Sequence, residues 1–200
     1  MLDTYKFIEK YKRISIIGME KNVGKTTLLN KLIADIGTNK KLGLTSIGRD
    51  GEDIDVVTNT DKPRIYVRRG SIIATGRNCL AKCDITKEIL YVTDFTTPMG
   101  SIVIVRALSD GYVDIAGPSY NKQVKIVVEL MEKFGSEISI VDGALGRKST
   151  AISDVSEATI LSTGAALSLD MLKVVEETKK TVYFLKLDEA EKNIKERVEE

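Results

Sequence analysis

The sequence has no histidine, no tryptophan and only two cysteines. Without histidine there is no Ser-His-Asp or Cys-His catalysis, no His-ligated zinc and no imidazole general base. Chemistry is left to Lys, Arg, Asp, Glu, Thr, Ser, Tyr, Cys, backbone amides or a bound metal. The thiols of Cys79 and Cys83 cannot by themselves complete the tetrahedral set of a structural zinc. Their spacing is not the Cys-x-x-Cys of a redox pair, so they read as small buried residues in a reducing compartment.

Long apolar runs are also missing. The stretch Ile102-Val103-Ile104-Val105 falls far short of the ~20 residues of a membrane helix. The opening MLDTYKFIEKYKR lacks the apolar centre of a signal peptide. These features predict a cytoplasmic protein with no membrane association. Nor is there an excess of either charge: 30 Lys+Arg face 29 Asp+Glu, a formal net charge of +1. That balance argues against a nucleic-acid binder with a broad basic face.

What is present is a chain of 200 residues, 42% hydrophobic and 30% charged. That length can bury a sizeable core, and it predicts one domain or one domain with an insertion. A short helix is expected over residues 4–12. A β-branched run, Ile14 to Ile17, leads into a glycine-bearing loop. Leu28, Leu32 and Ile36 then recur at helical spacing, with Leu29 and Ile33 beside them. Leu42 to Ile47 reads as the next strand. Together these segments make a βαβ unit and predict a parallel sheet.

The middle differs in character. Residues 63–117 carry strand signals separated by the turns TPMG and SDG, as an antiparallel β-hairpin insertion would. Helix–strand alternation returns with a helix over 121–134, strands at 137–141 and 158–162, and a last helix from Leu169 to about Leu187. Residues 188–200 form a polar helix or tail, with i,i+4 pairs Asp188–Lys192 and Glu191–Lys195.

The segment ISIIGMEKNVGKTTLLNKL, residues 14–32, carries the strongest chemical signal. A strand runs straight into Gly18, and Gly24-Lys25-Thr26-Thr27 opens a helix. Gly24 lets the backbone come close to a phosphate. The amides of residues 22–27, Asn22 and Val23 included, are expected to form an anion nest at a helix N-terminus. Lys25 would reach the β- and γ-phosphates. The Thr26 hydroxyl would ligate Mg²⁺, and Thr27 would touch the α-phosphate. Five residues separate Gly18 from Gly24 where the usual pattern has four, so Met19 occupies the usual first-glycine position. The bland alternative is an ordinary strand–helix junction that happens to contain GKTT.

A metal held by such a loop needs a carboxylate. Asp142 ends the apolar strand Ile138 to Val141, where ligands gather in doubly wound sheets. An Asp-Gly turn is its alternative. Asp50, within SIGRDGEDID just past the second strand, is the other candidate, although that stretch is also good turn composition. Arg147 and Lys148 in DGALGRKS would neutralise phosphate or sit in a solvated loop. Ser162-Thr163-Gly164 would lie near the base or simply turn the chain. No Asn-Lys-x-Asp guanine motif is present, so ATP is expected over GTP.

The G-x(5)-G-K-T spacing resembles the dethiobiotin synthetase and cobyrinic acid synthase branch of P-loop proteins. Members of that branch carry a glycine at the position of Gly18 and a Val-Gly-Lys-Thr like Val23 to Thr26. ParA-type relatives add a signature lysine at the position of Glu20, which is absent here. Further segments are TSIGRDGEDID, PRIYV with GSIIAT, SDGYVDIAGPS, VDGALGRKS and ATILSTGAALSLDMLKVVEET. Taken together, they resemble the small P-loop subunit of the lysine 5,6-aminomutase reactivase system over most of residues 13–180.

That resemblance implies an α/β P-loop NTPase with a mostly parallel sheet. It implies ATP and Mg²⁺ as cofactors and Gly24, Lys25, Thr26 and Thr27 as phosphate and metal residues, with Asp142 and Asp50 as carboxylates. It also implies a protein partner, either a second reactivase subunit or a cobalamin-dependent aminomutase. The chain itself has no Asp-x-His-x-x-Gly cobalamin motif. Two other functions stay open at this point. One is an ATP-dependent small-molecule ligase or kinase of dethiobiotin synthetase type. The other is a non-catalytic module that keeps nucleotide as a regulatory ligand.

Overall fold

A computed structural model describes residues 4–48, 64–143 and 155–186. Its centre is a seven-stranded sheet in the order β5-β6-β4-β2-β8-β1-β9. The strands are β1 (Arg13–Gly18), β2 (Leu42–Ser46), β4 (Ile72–Gly76), β5 (Lys87–Thr97), β6 (Gly100–Ala107), β8 (Ile138–Asp142) and β9 (Ala158–Ser162). Five of them, β9-β1-β8-β2-β4, run parallel, while β6 and β5 are antiparallel. Two short strands, β3 (Ile65–Val67) and β7 (Gly111–Val113), pair antiparallel as a separate ribbon. The helices are α1 (Thr4–Ile8), α2 (Lys25–Ile36), α3 (Asn121–Lys133) and α4 (Met171–Leu185). This is an α/β architecture with a mostly parallel sheet.

The apolar pattern explains the layering. Alternate residues of a strand face opposite sides of a sheet. Ile14 and Ile16 of β1, Leu42 and Leu44 of β2, Ile73 of β4 and Ile138 and Ile140 of β8 pack with Leu29, Leu32, Ile33 and Ile36 of α2. On the opposite face, Ile72 and Ala74 of β4, Ile102 and Ile104 of β6 and Val141 of β8 pack with Val124, Val127, Val128 and Met131 of α3. Strands covered on both faces read as continuous apolar runs, as β1 and β8 do.

Most expected elements are present, with three differences. The first helix stops at Ile8 rather than residue 12, because the chain must turn to enter β1; the Tyr11 amide closes that turn on the Ile8 carbonyl at 2.9 Å. The last helix starts at Met171 rather than Leu169, because the Asp170 carboxylate takes the N-cap and accepts from the Leu172 amide at 2.9 Å. The span 63–117 has three destinations, one of them the separate β3–β7 ribbon. β5 and β6 form the expected antiparallel hairpin on the sheet edge, but β4 joins the parallel set beside β2. Cys79 is buried, and the half-buried Cys83 thiol donates to its carbonyl at 3.2 Å; neither is in a disulfide. Burial pushes the Cys83 thiol up.

Ion pairs tie the amino edge of the sheet. Arg13 at the start of β1 grips Glu132 of α3 with two bonds of 2.7 Å. Glu137, just before β8, accepts from the Lys41 amide at 2.9 Å and from the Lys40 ammonium at 3.0 Å. The Lys41 amide and then Lys40 hold its carboxyl below the ordinary value. A lowered folded-state pKa stabilises the fold above the unfolded-state value, and the contribution is lost as pH falls through the folded value. Glu137→Gln is therefore expected to cost less than about 1 kcal/mol at neutral pH, since the group is exposed and screened. Chemical denaturation across pH checks this: the difference from the parent should vanish at acid pH. Among the described residues, no helix is long and apolar enough to cross a membrane.

Candidate phosphate-binding loop

The carboxyl edge of the parallel sheet gathers those sequence-predicted residues that the structure describes. β1 delivers Gly18 there, opposite Ser162 of β9, and the Met19 amide donates to the Ser162 carbonyl at 2.9 Å. The loop then bends sharply. Asn22 adopts φ +59° and Gly24 φ +85°, both left-handed, with Val23 between them. Asn tolerates this region better than most residues, and Gly occupies it without strain. Such backbone turns direct amides to one side. Gly24 serves as the N-cap of α2 without a side-chain cap, and its carbonyl accepts from the Leu28 amide at 2.9 Å.

Lys25 folds back over this bend. Its ammonium donates to the Glu20 carbonyl at 3.0 Å. The fold-back explains Gly18: a Cβ there would lie 2.5 Å from Lys25 Nζ and 2.7 Å from Val23 Cγ2. Gly18 is thus the floor on which the lysine lies. Thr26 is half-buried and Thr27 exposed on the first turn of α2.

Asp142 ends β8, the strand between β1 and β2, in register with Ile16 on one side and Ser46 on the other. It is half-buried with its Oδ1 enclosed, and its carbonyl accepts from the Ile47 amide at 2.8 Å. The Gly143 amide donates to the Ile16 carbonyl at 2.9 Å. Asp142 therefore stands on the strand next to the one that feeds the loop, at the same edge of the sheet. Asp50, Arg147 and Lys148 lie outside the described residues. Ser162 and Thr163 sit beside the start of the loop, and Thr163 Oγ1 accepts from Thr178 Oγ1 of α4 at 3.0 Å. Among the described residues, no cluster of three or more carboxylates or thiols is positioned to hold a metal. Among the described residues, a metal here would rest on Thr26 and Asp142, with water and the ligand.

One feature of this edge carried no functional reading in the sequence. Residues 114–118 are stitched across the ends of β4 and β2 by buried hydroxyls. Thr75 Oγ1 donates to the Asp114 carbonyl at 3.0 Å and accepts from the Ala116 amide at 2.9 Å. Ser46 Oγ accepts from the Gly117 amide at 2.9 Å. The Gly76 amide donates to the Ala116 carbonyl at 2.8 Å and the Gly48 amide to the Pro118 carbonyl at 3.0 Å. The strap walls the carboxyl edge on the β2 side. Its only sequence signal is the small run Ala116-Gly117-Pro118, which has no periodicity to detect.

Comparison with known proteins returned no matching family model, no matching curated protein and no matching solved structure.

Proposed function

We propose that this chain is a Mg²⁺-dependent ATP-binding protein and slow ATPase of the P-loop class. Its hydrolysis would serve a protein partner as part of an adenosylcobalamin-dependent aminomutase reactivase. The observation that carries the nucleotide reading is the loop between Gly18 and Lys25: two left-handed residues, an uncapped helix start and a lysine folded over a glycine floor. The reactivase assignment rests on the sequence resemblance alone.

The donor set suits a nucleoside triphosphate with its metal. The loop amides and the Lys25 ammonium would hold phosphate oxygens. Thr26 Oγ1 and the Asp142 carboxylate would carry the metal, directly or through water. When bound, Mg²⁺ supplies charge neutralisation at the β- and γ-phosphates. The chain's own contribution is positioning and a fixed positive charge at Lys25. No described residue stands out as a general base, so slow unaided turnover with partner stimulation is expected.

Titration with Mg·ATP and Mg·GTP, followed by calorimetry, tests this reading. Saturable binding of ATP in preference to GTP is expected. In Asp142→Asn, nucleotide should still bind, but the gain in affinity from added Mg²⁺ should fall about tenfold, or ~1.4 kcal/mol. An unchanged Mg²⁺ dependence would remove Asp142 from the site. Rapid turnover by the isolated chain would overturn the partner-dependent part. The second reading, a small-molecule ligase or kinase of dethiobiotin synthetase type, is favoured by the loop spacing. It predicts phosphate transfer to a small acceptor rather than to water.

A further inference from the structure

The strand β5, 11 residues long, lies at one end of the strand order. Among the described residues, only β6 pairs with it. A strand in that place presents a row of unpaired N–H and C=O groups on its outer side. It also exposes apolar side chains: Ile89 is 63% exposed, Val92 54% and Tyr91 45%. The opposite edge strand, β9, has 5 residues, and its Ala158, Ile160 and Leu161 are half-buried. Exposed apolar residues on a long free edge make an association site unless something protects them. Two common protections are missing, since residues 88–93 contain no lysine and no proline. Glu88, the one charged residue of that span, is taken by Arg106 of β6 at 2.6 Å.

A third protection, a bulge, is present, and it specifies the partner. Ile89 lies opposite Val105 of β6 and Tyr91 opposite Ile104, so Leu90 is an extra residue; Val92 lies opposite Val103. Val103 and Val105 belong to the core on the α2 side, whereas Ile104 belongs to the core on the α3 side, against which Leu90 also packs. Residues opposite each other across a ladder share a face. Ile89 and Val92 therefore share one face although they are three positions apart, and Leu90 and Tyr91 lie on the other. A bulge bends its strand, so a regular partner strand fits poorly along it.

A second copy of this chain carries the same bend. Laid antiparallel with a two-fold axis between Leu90 and Tyr91, it opposes bulge to bulge. Ile89 then meets Val92 of the second copy on one face, and Val92 meets Ile89. Lys87 comes opposite Asp94 of the second copy, so unlike charges flank the apolar pairs. The Lys87 ammonium already donates to the Leu80 carbonyl at 2.7 Å, and an ammonium has further N–H groups to give. A shift of one residue in either direction would set Ile89 against Tyr91 or Val92 against Leu90, which lie on opposite faces.

We infer that β5 is the seam of a homodimer, in which two copies pair antiparallel along this strand and join their seven-stranded sheets into one. The seam is at the end of the sheet away from β1 and the phosphate loop. The inference therefore does not depend on nucleotide binding and stands if that reading fails.

Analytical ultracentrifugation of the full chain should show a dimer. Ile89→Lys combined with Val92→Lys should weaken it by about tenfold or more. The far-ultraviolet circular dichroism should not change, because both side chains are exposed in the single chain. Disulfide trapping reads the register. Ile89→Cys combined with Val92→Cys should give inter-chain cross-links on oxidation, since opposed residues of an antiparallel ladder have Cα atoms about 4.5–5.5 Å apart. Neither single variant should do so, because each residue is displaced along the seam from its own copy, about 10 Å away. Single variants that cross-link as readily as the double one would overturn the proposal, as would a dimer that the lysine variant leaves intact. So would assembly beyond two copies, or a monomer at every concentration, which would leave this edge to a strand of another protein.

Discussion

Lys25→Ala is expected to weaken ATP binding about 100-fold, a loss of ~2.8 kcal/mol, with the melting curve nearly unchanged. The size follows from the kind of contact. A lysine on a triphosphate makes charge-assisted hydrogen bonds, each worth about 1.5–3 kcal/mol, to a ligand whose negative charge stays in the site. The small effect on stability follows from the fold. In the structure the ammonium makes one bond, to the Glu20 carbonyl at 3.0 Å at the protein surface, and the apolar core lies elsewhere. Calorimetric titration together with a thermal melt separates the two quantities. Retention of binding in Lys25→Ala would remove the lysine, and with it the nucleotide assignment, from this loop. Loss of binding together with loss of folding would instead mean that the lysine is structural.

Gly117→Ala should produce the largest stability loss. A Cβ at Gly117 would lie 1.9 Å from the Ser46 carbonyl oxygen and 2.7 Å from Thr45 Oγ1. The first of these is backbone in a central parallel strand and cannot yield. The strap must then lift, breaking the bonds of the Gly117 amide to Ser46 Oγ, the Ala116 amide to Thr75 Oγ1 and the Gly48 amide to the Pro118 carbonyl. At about 1 kcal/mol each, and more where a buried group is left unpaired, the cost is ~3 kcal/mol or greater. Domains of this size hold only about 5–15 kcal/mol in total. Urea unfolding followed by far-ultraviolet circular dichroism measures the shift. A midpoint within error of the parent would mean that the strap does not hold the ends of β4 and β2. Gly18→Ala should be milder, because its nearest neighbour is the mobile end of Lys25 rather than backbone.

The two substitutions contrast what local sequence reveals with what it hides. The loop around Lys25 is legible because its chemistry is contiguous. Strand, glycine, lysine, threonines and helix follow one another, and each residue type has its own reason. Asp142 is legible for a similar reason: an apolar run ends in an acid, and parallel strands expose their carboxyl ends together. The strap is not legible. Ser46, Thr75 and Gly117 are far apart in the chain, and single hydroxyls and glycines carry no period. The role of β4 was hidden as well. Its run SIIAT resembles its antiparallel neighbours, and nothing local says that β4 pairs with β2 while β6 and β5 follow on the outside.

The sequence alone determined the α/β class, the alternation that covers both faces of the sheet, and the reach of a glycine-lysine-threonine loop at a helix start. These depend on patterns with short periods or adjacent residues, which the chain writes directly. Only the tertiary structure decided that Gly18 is a floor for Lys25 and that Asp142 stands one strand away from the loop. It alone decided that α4 leaves Met171, Leu172, Val175 and Tyr183 exposed. The physical reason is that each of these depends on contacts between segments distant in the chain. Helical spacing gives α4 an apolar side in either case; which side meets the rest of the molecule is set by what packs beside it.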